Sequence, residues 1–590
     1  MNTPVTERIS EREQTRWQSL KFFGKAWAFR LRRIVAGPRV RRFEKSFTAA
    51  ENRVIAESRS LLYTNSAVAE ISLQSGKVHN LRVAASFLHG LLIPAGEVFS
   101  FWAHVPRPTQ WNQFAVGREL REGCIVPSIG GGLCQLSNAL YDAALIARCE
   151  IVERHAHSRK IPGSMAVVGR DATVFWNYVD LRFRPLNPVA LEVYLTPKEL
   201  IVRLREVTAL PEPRASMGSD PLVKEAILEG SNDTAAVESC ETCNVTSCFR
   251  HIEQSKEECT VAWLVDAYWP EFDSYISKHR KSGDWLFLPL DSKRYHVGGY
   301  FWNTTGFARV RQAPWEVMKR SWISRRLTSQ GAERQRALLW MDESLATRFR
   351  RSLPSSATHL VISQNLLPYL WQSGALGGRT FDVLMTRLPL GVLQSTLDRA
   401  YRRWPESTTL GDFRTDARFI ESEQAALAEA RHWITPHNLI AKLGGRRTLL
   451  LEWNVAQAER IKVAGQRVLY PASTLGRKGA YELREAARQL ELRIVLGGRV
   501  VEEREFWHGS DVEMADGDSL EGIQAVVLPA WVENQPRRLL RAISKGVPVI
   551  ASEACGLHGL PGVIEVPEGC TDALVAALTE VVGGRRSLAS

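Results

Sequence analysis

No stretch of this chain approaches the roughly 20 consecutive apolar residues that a helix needs to cross a bilayer. Met1 to Arg16 is polar and lacks the apolar segment of a secretory signal. Both absences make a cytoplasmic protein the expectation. No short internal repeat is present, which argues against a solenoid or a propeller. Apolar residues make up 45% and charged residues 24%, a balance that excludes a disordered or fibrous chain. At 590 residues the chain exceeds what one hydrophobic core organises, so two to four domains are expected.

Charge is present and unevenly placed. The net value is +12, and a large part of it precedes residue 50: Lys21, Lys25, Arg30, Arg32, Arg33, Arg39, Arg41, Arg42 and Lys45. Trp17, Phe22, Phe23, Trp27 and Phe29 interleave with these cations. The pattern describes a basic amphipathic helix, suited to peripheral contact with an anionic membrane face or to packing on its own protein. No specific nucleic-acid partner is expected.

Five regions follow from the pattern. Residues 1–50 form the basic leader, and 51–206 mix helix and strand, closing on the runs Ala190–Leu195 and Leu200–Leu204. Residues 207–259 read as a linker, marked by Pro211, Pro213, Gly218 and Pro221. Beyond it, apolar runs alternate with longer helical patterns: Val261–Val265, Trp285–Leu290, His359–Ser363, Val468–Tyr470, Leu492–Gly497, Ala525–Leu528 and Val547–Ala551. Such alternation predicts parallel sheets covered by helices on both faces, enough for two domains over 260–450 and 451–590.

The most informative stretch is Gly130-Gly131-Gly132-Leu133-Cys134-Gln135. Leu136, Leu140, Ala143, Ala144 and Ala147 recur at helical spacing behind it. A thiol at a helix N-terminus sits at the positive end of the macrodipole, which favours thiolate. The glycines would let the backbone approach a ligand closely. Downstream, Ile151-Val152 predicts a strand that projects His155 and His157 from one face, and a second strand-like run over 167–175 carries Asp171. Cysteine, histidine and aspartate in this order suit a nucleophile, a proton shuttle and an orienting carboxylate. The same residues equally suit a small buried cysteine, a surface histidine and an aspartate paired with Arg170.

These residues carry a family resemblance. Phe99-Ser100-Phe101-Trp102, Gly117, Gly123, the Gly130–Ser137 run, Leu140-Tyr141, the Ile151–Ser158 run, Gly169-Arg170-Asp171-Ala172 and Asp180-Leu181-Arg182-Phe183 resemble the VanW family over about residues 51–206. That family is named for accessory proteins of glycopeptide-resistance clusters. The resemblance makes the Gly-Cys turn, the His-x-His-Ser segment and the Gly-Arg-Asp turn motif positions, with their roles open.

Nine cysteines are present, four of them between 240 and 259. Cys240, Cys243, Cys248 and His251 have spacing suited to tetrahedral zinc, and Cys259 as an alternative ligand would admit an iron–sulfur cluster. Reduced thiols without a metal are the other reading.

In the last region, Tyr470-Pro471-Ala472, Gly476-Arg477-Lys478-Gly479, Leu492–Gly498, Ala525–Ala530, Val532–Pro536 and Leu539–Ser552 resemble the second domain of a two-Rossmann-domain (GT-B) glycosyltransferase. The resemblance implies a nucleotide-sugar donor between two domains, its diphosphate held by Arg477 and Lys478. Glu533, opening a helix, and Asn534 would meet sugar or ribose hydroxyls. Gln364 and Asn365 would face an acceptor, a glycan or lipid-linked glycan, and His432 and His437 are further candidates. Arg541 stands eight residues after Glu533, where such transferases often carry a second glutamate. The expected architecture is therefore an α+β VanW-type domain followed by a GT-B-like pair of Rossmann-type domains. The expected role is bifunctional work on an envelope polysaccharide. A thiol hydrolase joined to a glycan-binding half, or a scaffold without chemistry, are the alternatives.

Overall fold

The computed structural model describes residues 24, 27–28, 40–45, 52–63, 68–121, 124–157, 169–176, 179–207, 238–239, 261–292, 299–327, 331–412, 414–461, 463, 467–503, 505–517 and 519–583. The expected metal ligands Cys240, Cys243, Cys248 and His251 lie outside these residues, as does most of the basic leader. Among the described residues no helix is long and apolar enough to cross a membrane.

The described residues fall into two units. The first lies within 1–260, joined by the short segments Pro354–Thr358 and Ser373–Arg379. Its centre is an antiparallel sheet ordered β1 (Val54–Leu61), β9 (Glu199–Glu206), β8 (Val189–Leu195), β2 (Leu91–Ile93). Helix α1 (Val68–Leu88) packs on β8, and helix α2 (Leu133–Ile146) packs on β1 and β9. The helical spacing read from the sequence accounts for α2: Leu133, Leu136, Leu140, Ala143 and Ala144 are all buried, while Ala147 falls just past its end. Two three-stranded sheets flank this core. One orders β10 (Glu238–Ser239), β5 (Cys124–Ile129) and β4 (Val116–Arg121); the other orders β3 (Phe99–Ser100), β7 (Arg182–Arg184) and β6 (Glu150–Glu153). Phe99 and Phe183 stack across β3 and β7 with ring centres 4.7 Å apart.

The second unit contains two parallel sheets, the pair of Rossmann-type domains expected of a GT-B-like chain. The first orders β13 (Arg309–Gln312), β12 (Trp285–Leu288), β11 (Val261–Leu264), β14 (His359–Ser363), β15 (Thr380–Leu384), β16 (Trp433–Thr435) and β17 (Thr448–Leu450). The second orders β20 (Asp511–Met514), β19 (Arg493–Leu496), β18 (Arg467–Tyr470), β21 (Ile523–Leu528), β22 (Val549–Ser552) and β23 (Val563–Val566). Helices cover both faces, so central strands are buried throughout and mostly apolar rather than alternating; every residue of β12, β21 and β22 is buried. In each sheet the chain runs outward to one edge, returns, and runs outward to the other. The reversal lies between β11 and β14 in the first sheet and between β18 and β21 in the second. Loops leaving the carboxyl ends of such strands diverge and leave a crevice, where open α/β sheets bind ligands.

Candidate functional site

Helix α2 begins at Leu133, so Cys134 occupies its first turn, where the Gln135 N–H bonds back to the Gly132 carbonyl at 3.1 Å. The helix also fixes the segment facing the thiol. Ser137 Oγ donates to the Ala172 carbonyl at 2.5 Å, and the Ala172 N–H donates to Asn138 Oδ1 at 2.8 Å. Residues 171–173 in turn hold 154–157: Thr173 N–H donates to the His155 carbonyl at 2.7 Å, and Arg154 Nε to the Asp171 carbonyl at 2.8 Å. Within this frame the His157 ring bonds Asp171 Oδ1 through Nδ1, and its backbone N–H donates to Asp171 Oδ2 at 2.5 Å. Cys134 Sγ lies 3.5 Å from Thr173 Oγ1 and interacts with the His157 ring. The Asp171 side chain is 1% exposed and that of His157 19%, and Cys134 is half-buried.

The electrostatics follow from that geometry. Burial pushes the Cys134 thiol up, yet the hydrogen bond and positive charge of His157 outweigh it and leave the thiol below its ordinary value. Burial disfavours a charged His157, but its bonds to Asp171 and Cys134 and their negative charges raise it to about 10. Asp171, also penalised by burial, is held below the usual carboxylate range by His157. A thiolate–imidazolium–carboxylate row is the state this arrangement favours. Cys149 has no such partner, and burial alone lifts its thiol to about 11.

Three of the four residues expected at the thiol site are together; His155 is not. The strand ends at Glu153, so the alternation that would have placed both histidines on one face stops before either. The His155 ring pairs instead with Glu153 at 3.3 Å. Asp171 lies in irregular chain, not in the strand expected over 167–175. The glycines also act differently from the expectation. A Cβ on Gly130 would meet Pro108 at 2.4 Å, on Gly131 the Gly117 backbone at 2.5 Å, and on Gly132 the Lys77 stem at 2.1 Å. Gly130 and Gly132 have φ of +80° and +98°. The triple glycine therefore seats α2 against α1 and β4 rather than clearing room for a ligand. Lys77, Thr173, Ser137 and Asn138 were not legible as site residues, because only the fold brings them there. Burial pulls Lys77 down to about 7, and the charge of Arg118 adds to it.

The second site forms at the reversal of the second sheet. After β18 the chain makes the turn Gly476–Lys478; after β21 it passes through Val532 and Glu533. Lys478 Nζ donates to Glu533 Oε2 at 2.9 Å and to the Val532 carbonyl at 3.0 Å. The Arg477 carbonyl accepts from the N–H groups of Trp531 and Val532 at 3.0 and 3.1 Å. Gly479, with φ of +75° and the Pro529 carbonyl 2.0 Å from where a Cβ would stand, lets the two loops touch. Burial opposes ionisation of Glu533, but the charge and hydrogen bond of Lys478 hold its carboxyl below the ordinary range. Arg477 Nε is buried without a hydrogen-bond partner in the structure.

Two expectations here need correction. Glu533 does not open a helix: the helix Arg537–Ser544 starts only after Pro536, and Glu533 and Asn534 sit in the preceding loop. Gln364 does not face an acceptor. It is fully buried, donates to Glu423 at 3.2 Å and accepts from the N–H groups of Thr386 and Arg387 at 3.0 Å each. Asn365 bonds Asp266 Oδ2 at 2.9 Å, across the reversal of the first sheet. His432 pairs with Asp382 at 3.1 Å. His437 is buried and links the sheets, its Nε2 lying 3.0 Å from the Glu533 carbonyl and 3.1 Å from that of Ala554.

Residues 76–205 match the sequence family described as VanW like protein. This stretch is a VanW-like domain. It shares 32% identity over 146 residues with the vancomycin B-type resistance protein VanW of Enterococcus faecalis, spanning 24% of this chain and 53% of that one. The uncharacterized protein YoaR of Bacillus subtilis is 32% identical over 113 residues, 19% of this chain and 37% of its own. The chain thus spans about half or less of these curated relatives. Among solved structures, a sucrose-phosphate synthase from Thermosynechococcus elongatus overlays at TM-score 0.36 and 15% identity, covering 55% of this chain and 90% of that one. Anabaena HepE in complex with UDP overlays at TM-score 0.33 and 13% identity, covering 56% and 91%.

Cys134, His157 and Asp171 all fall inside the VanW-like domain, as does the glycine turn. Lys478 and Glu533 fall outside it. Among the described residues no group of three or more His, Cys, Asp and Glu side chains is placed to hold a metal ion.

Proposed function

We propose that the second unit transfers a sugar from a nucleotide donor to a glycan or lipid-linked acceptor, and that the fusion serves assembly of an envelope polysaccharide in the cytoplasm. The observation that carries this is the Lys478–Glu533 pair at the reversal between β18 and β21, backed by Arg477. Two cations beside a tight glycine turn suit a diphosphate, and an ionised carboxylate beside them suits ribose or sugar hydroxyls. The envelope role draws on the name of the Enterococcus faecalis relative.

A nucleotide and nucleotide-sugar panel followed by thermal shift tests the reading. A donor at about 100 times its dissociation constant adds near 2.7 kcal/mol of stability. Lys478→Ala should then weaken that donor by about 1–3 kcal/mol in calorimetry, the loss expected for a charged hydrogen bond. A panel in which nothing shifts the melting, or an affinity unchanged in Lys478→Ala, refutes it.

A second reading rests on Arg541. It lies in the helix Arg537–Ser544, exposed, where a second glutamate is often found in such enzymes. Under that reading the unit binds the donor or a glycan without transferring sugar. Release of free sugar from the bound donor separates the two.

A further inference from the structure

The thiol site of the VanW-like domain plays no part in the glycosyl-transfer reading, and it has a complete internal logic. A cysteine that only fills a core needs no cation, as Cys149 and the buried Cys555 show: burial lifts both thiols, to about 11 and about 12. A histidine that only braces a loop needs no buried carboxylate on one ring nitrogen and a thiol within reach. Here the carboxylate is buried, whereas the imidazole and the cysteine are both partly exposed. The sulfur also stands in the first turn of α2, where the Gln135 amide is taken by the Gly132 carbonyl and the Leu133 and Cys134 amides are left to face a developing oxyanion.

We propose that this domain is a cysteine-dependent acyl-transfer enzyme acting on amides or esters, with Cys134 as nucleophile, His157 as proton shuttle and Asp171 as the residue that positions His157. The Cys134 thiolate attacks the acyl carbon, forming a C–S bond. Collapse breaks the bond to the amine or alkoxide, which leaves with the proton His157 donates. Water or a second amine then attacks the thioester and gives its proton to His157. The C–S bond breaks, and the acid or new amide departs with the thiolate restored. Nothing is oxidised or reduced, and no cofactor enters.

The test uses the full chain with two probes. Iodoacetamide labelling of Cys134, read by peptide mass spectrometry across pH, should inflect below the ordinary thiol value of about 8.5. In His157→Gln the inflection should return upward, with labelling at neutral pH slowed about tenfold or more, whereas Cys149→Ala should leave it alone. p-Nitrophenyl acetate should place an acetyl group on Cys134 that is lost with time in the wild type and persists in His157→Gln and Asp171→Asn. General acid–base help of this kind contributes about 10²–10⁴ in rate. The proposal fails if wild-type Cys134 titrates as an ordinary thiol, if it is never acetylated, or if His157→Gln changes neither readout while its melting temperature holds. Should His157→Gln not fold, the wild-type inflection and acetyl lifetime decide alone. Neither probe involves a nucleotide sugar, so this outcome and that of the glycosyl-transfer test are independent.

Discussion

Asp171 concentrates what a single residue contributes. Its carboxylate is buried and would be costly there without the two bonds from His157. Its folded value lies below the unfolded one, so it adds stability above about pH 3.9 that disappears as pH falls through the depressed value. A melting series from pH 7 down to pH 2 should show the wild type losing stability below about pH 4, with a visibly shallower loss in Asp171→Asn. Identical slopes would mean that the carboxylate is not held by His157. The sequence offered two histidines in His155-Ala156-His157, and strand alternation treats them alike. What separates them is the end of β6 at Glu153 and the Thr173 bond to the His155 carbonyl. Both depend on residues 18 or more positions downstream, so local pattern held the cysteine and the aspartate but left the histidine ambiguous.

At the scale of elements, α2 and its glycine turn were the easiest features to read and the easiest to misread. Leu133, Leu136 and Leu140 at helical spacing gave the helix and its buried face. The three glycines gave the turn, but not its reason, which lies in α1 and β4 packing against it. Gly132→Ala separates packing from ligand access. Its φ of +98° alone costs about 1–3 kcal/mol, and the Lys77 stem 2.1 Å from the new methyl adds overlap. Gly169→Ala is the comparison: its φ is +80° but nothing lies within 4 Å, so strain acts without overlap. Urea midpoints should fall for both and clearly further for Gly132→Ala. Equal losses would remove the packing explanation. Seven parallel strands of the second unit, β11, β12, β14, β18, β19, β21 and β22, were legible to within two residues, because burial makes them mostly apolar runs; the more exposed β13, β17 and β20 were not read. The helix start after Glu533 was not: Pro536 delays it to Arg537, and the polar run before that proline reads as a first turn.

Across the whole molecule, the sequence showed that two Rossmann-type domains follow a VanW-like one, but not what ties the two Rossmann-type sheets together. The tie crosses from one sheet's reversal to the other's. Glu271, in the first turn of helix α3 (Pro270–His279) after β11, receives both terminal nitrogens of Arg537 at 2.6 Å and the Asn454 N–H at 2.9 Å. Arg537 opens the helix Arg537–Ser544 after β21, and its guanidinium lies 5.4 Å from the Trp269 ring and 5.6 Å from that of Trp453. The Glu271 side chain is fully buried, whereas Arg537 is partly exposed. Removing the arginine therefore strands a carboxylate inside the protein, which costs about 3–5 kcal/mol, while replacing both partners by apolar residues can be nearly neutral. Arg537→Ala should melt well below the wild type, and Arg537→Met with Glu271→Leu should recover most of that loss. If the double variant is as unstable as the single one, the pair is not what joins the sheets. If it is stable but no longer binds a nucleotide that the wild type binds, the clamp sets the crevice geometry rather than the fold, and the two reversal points act as one site.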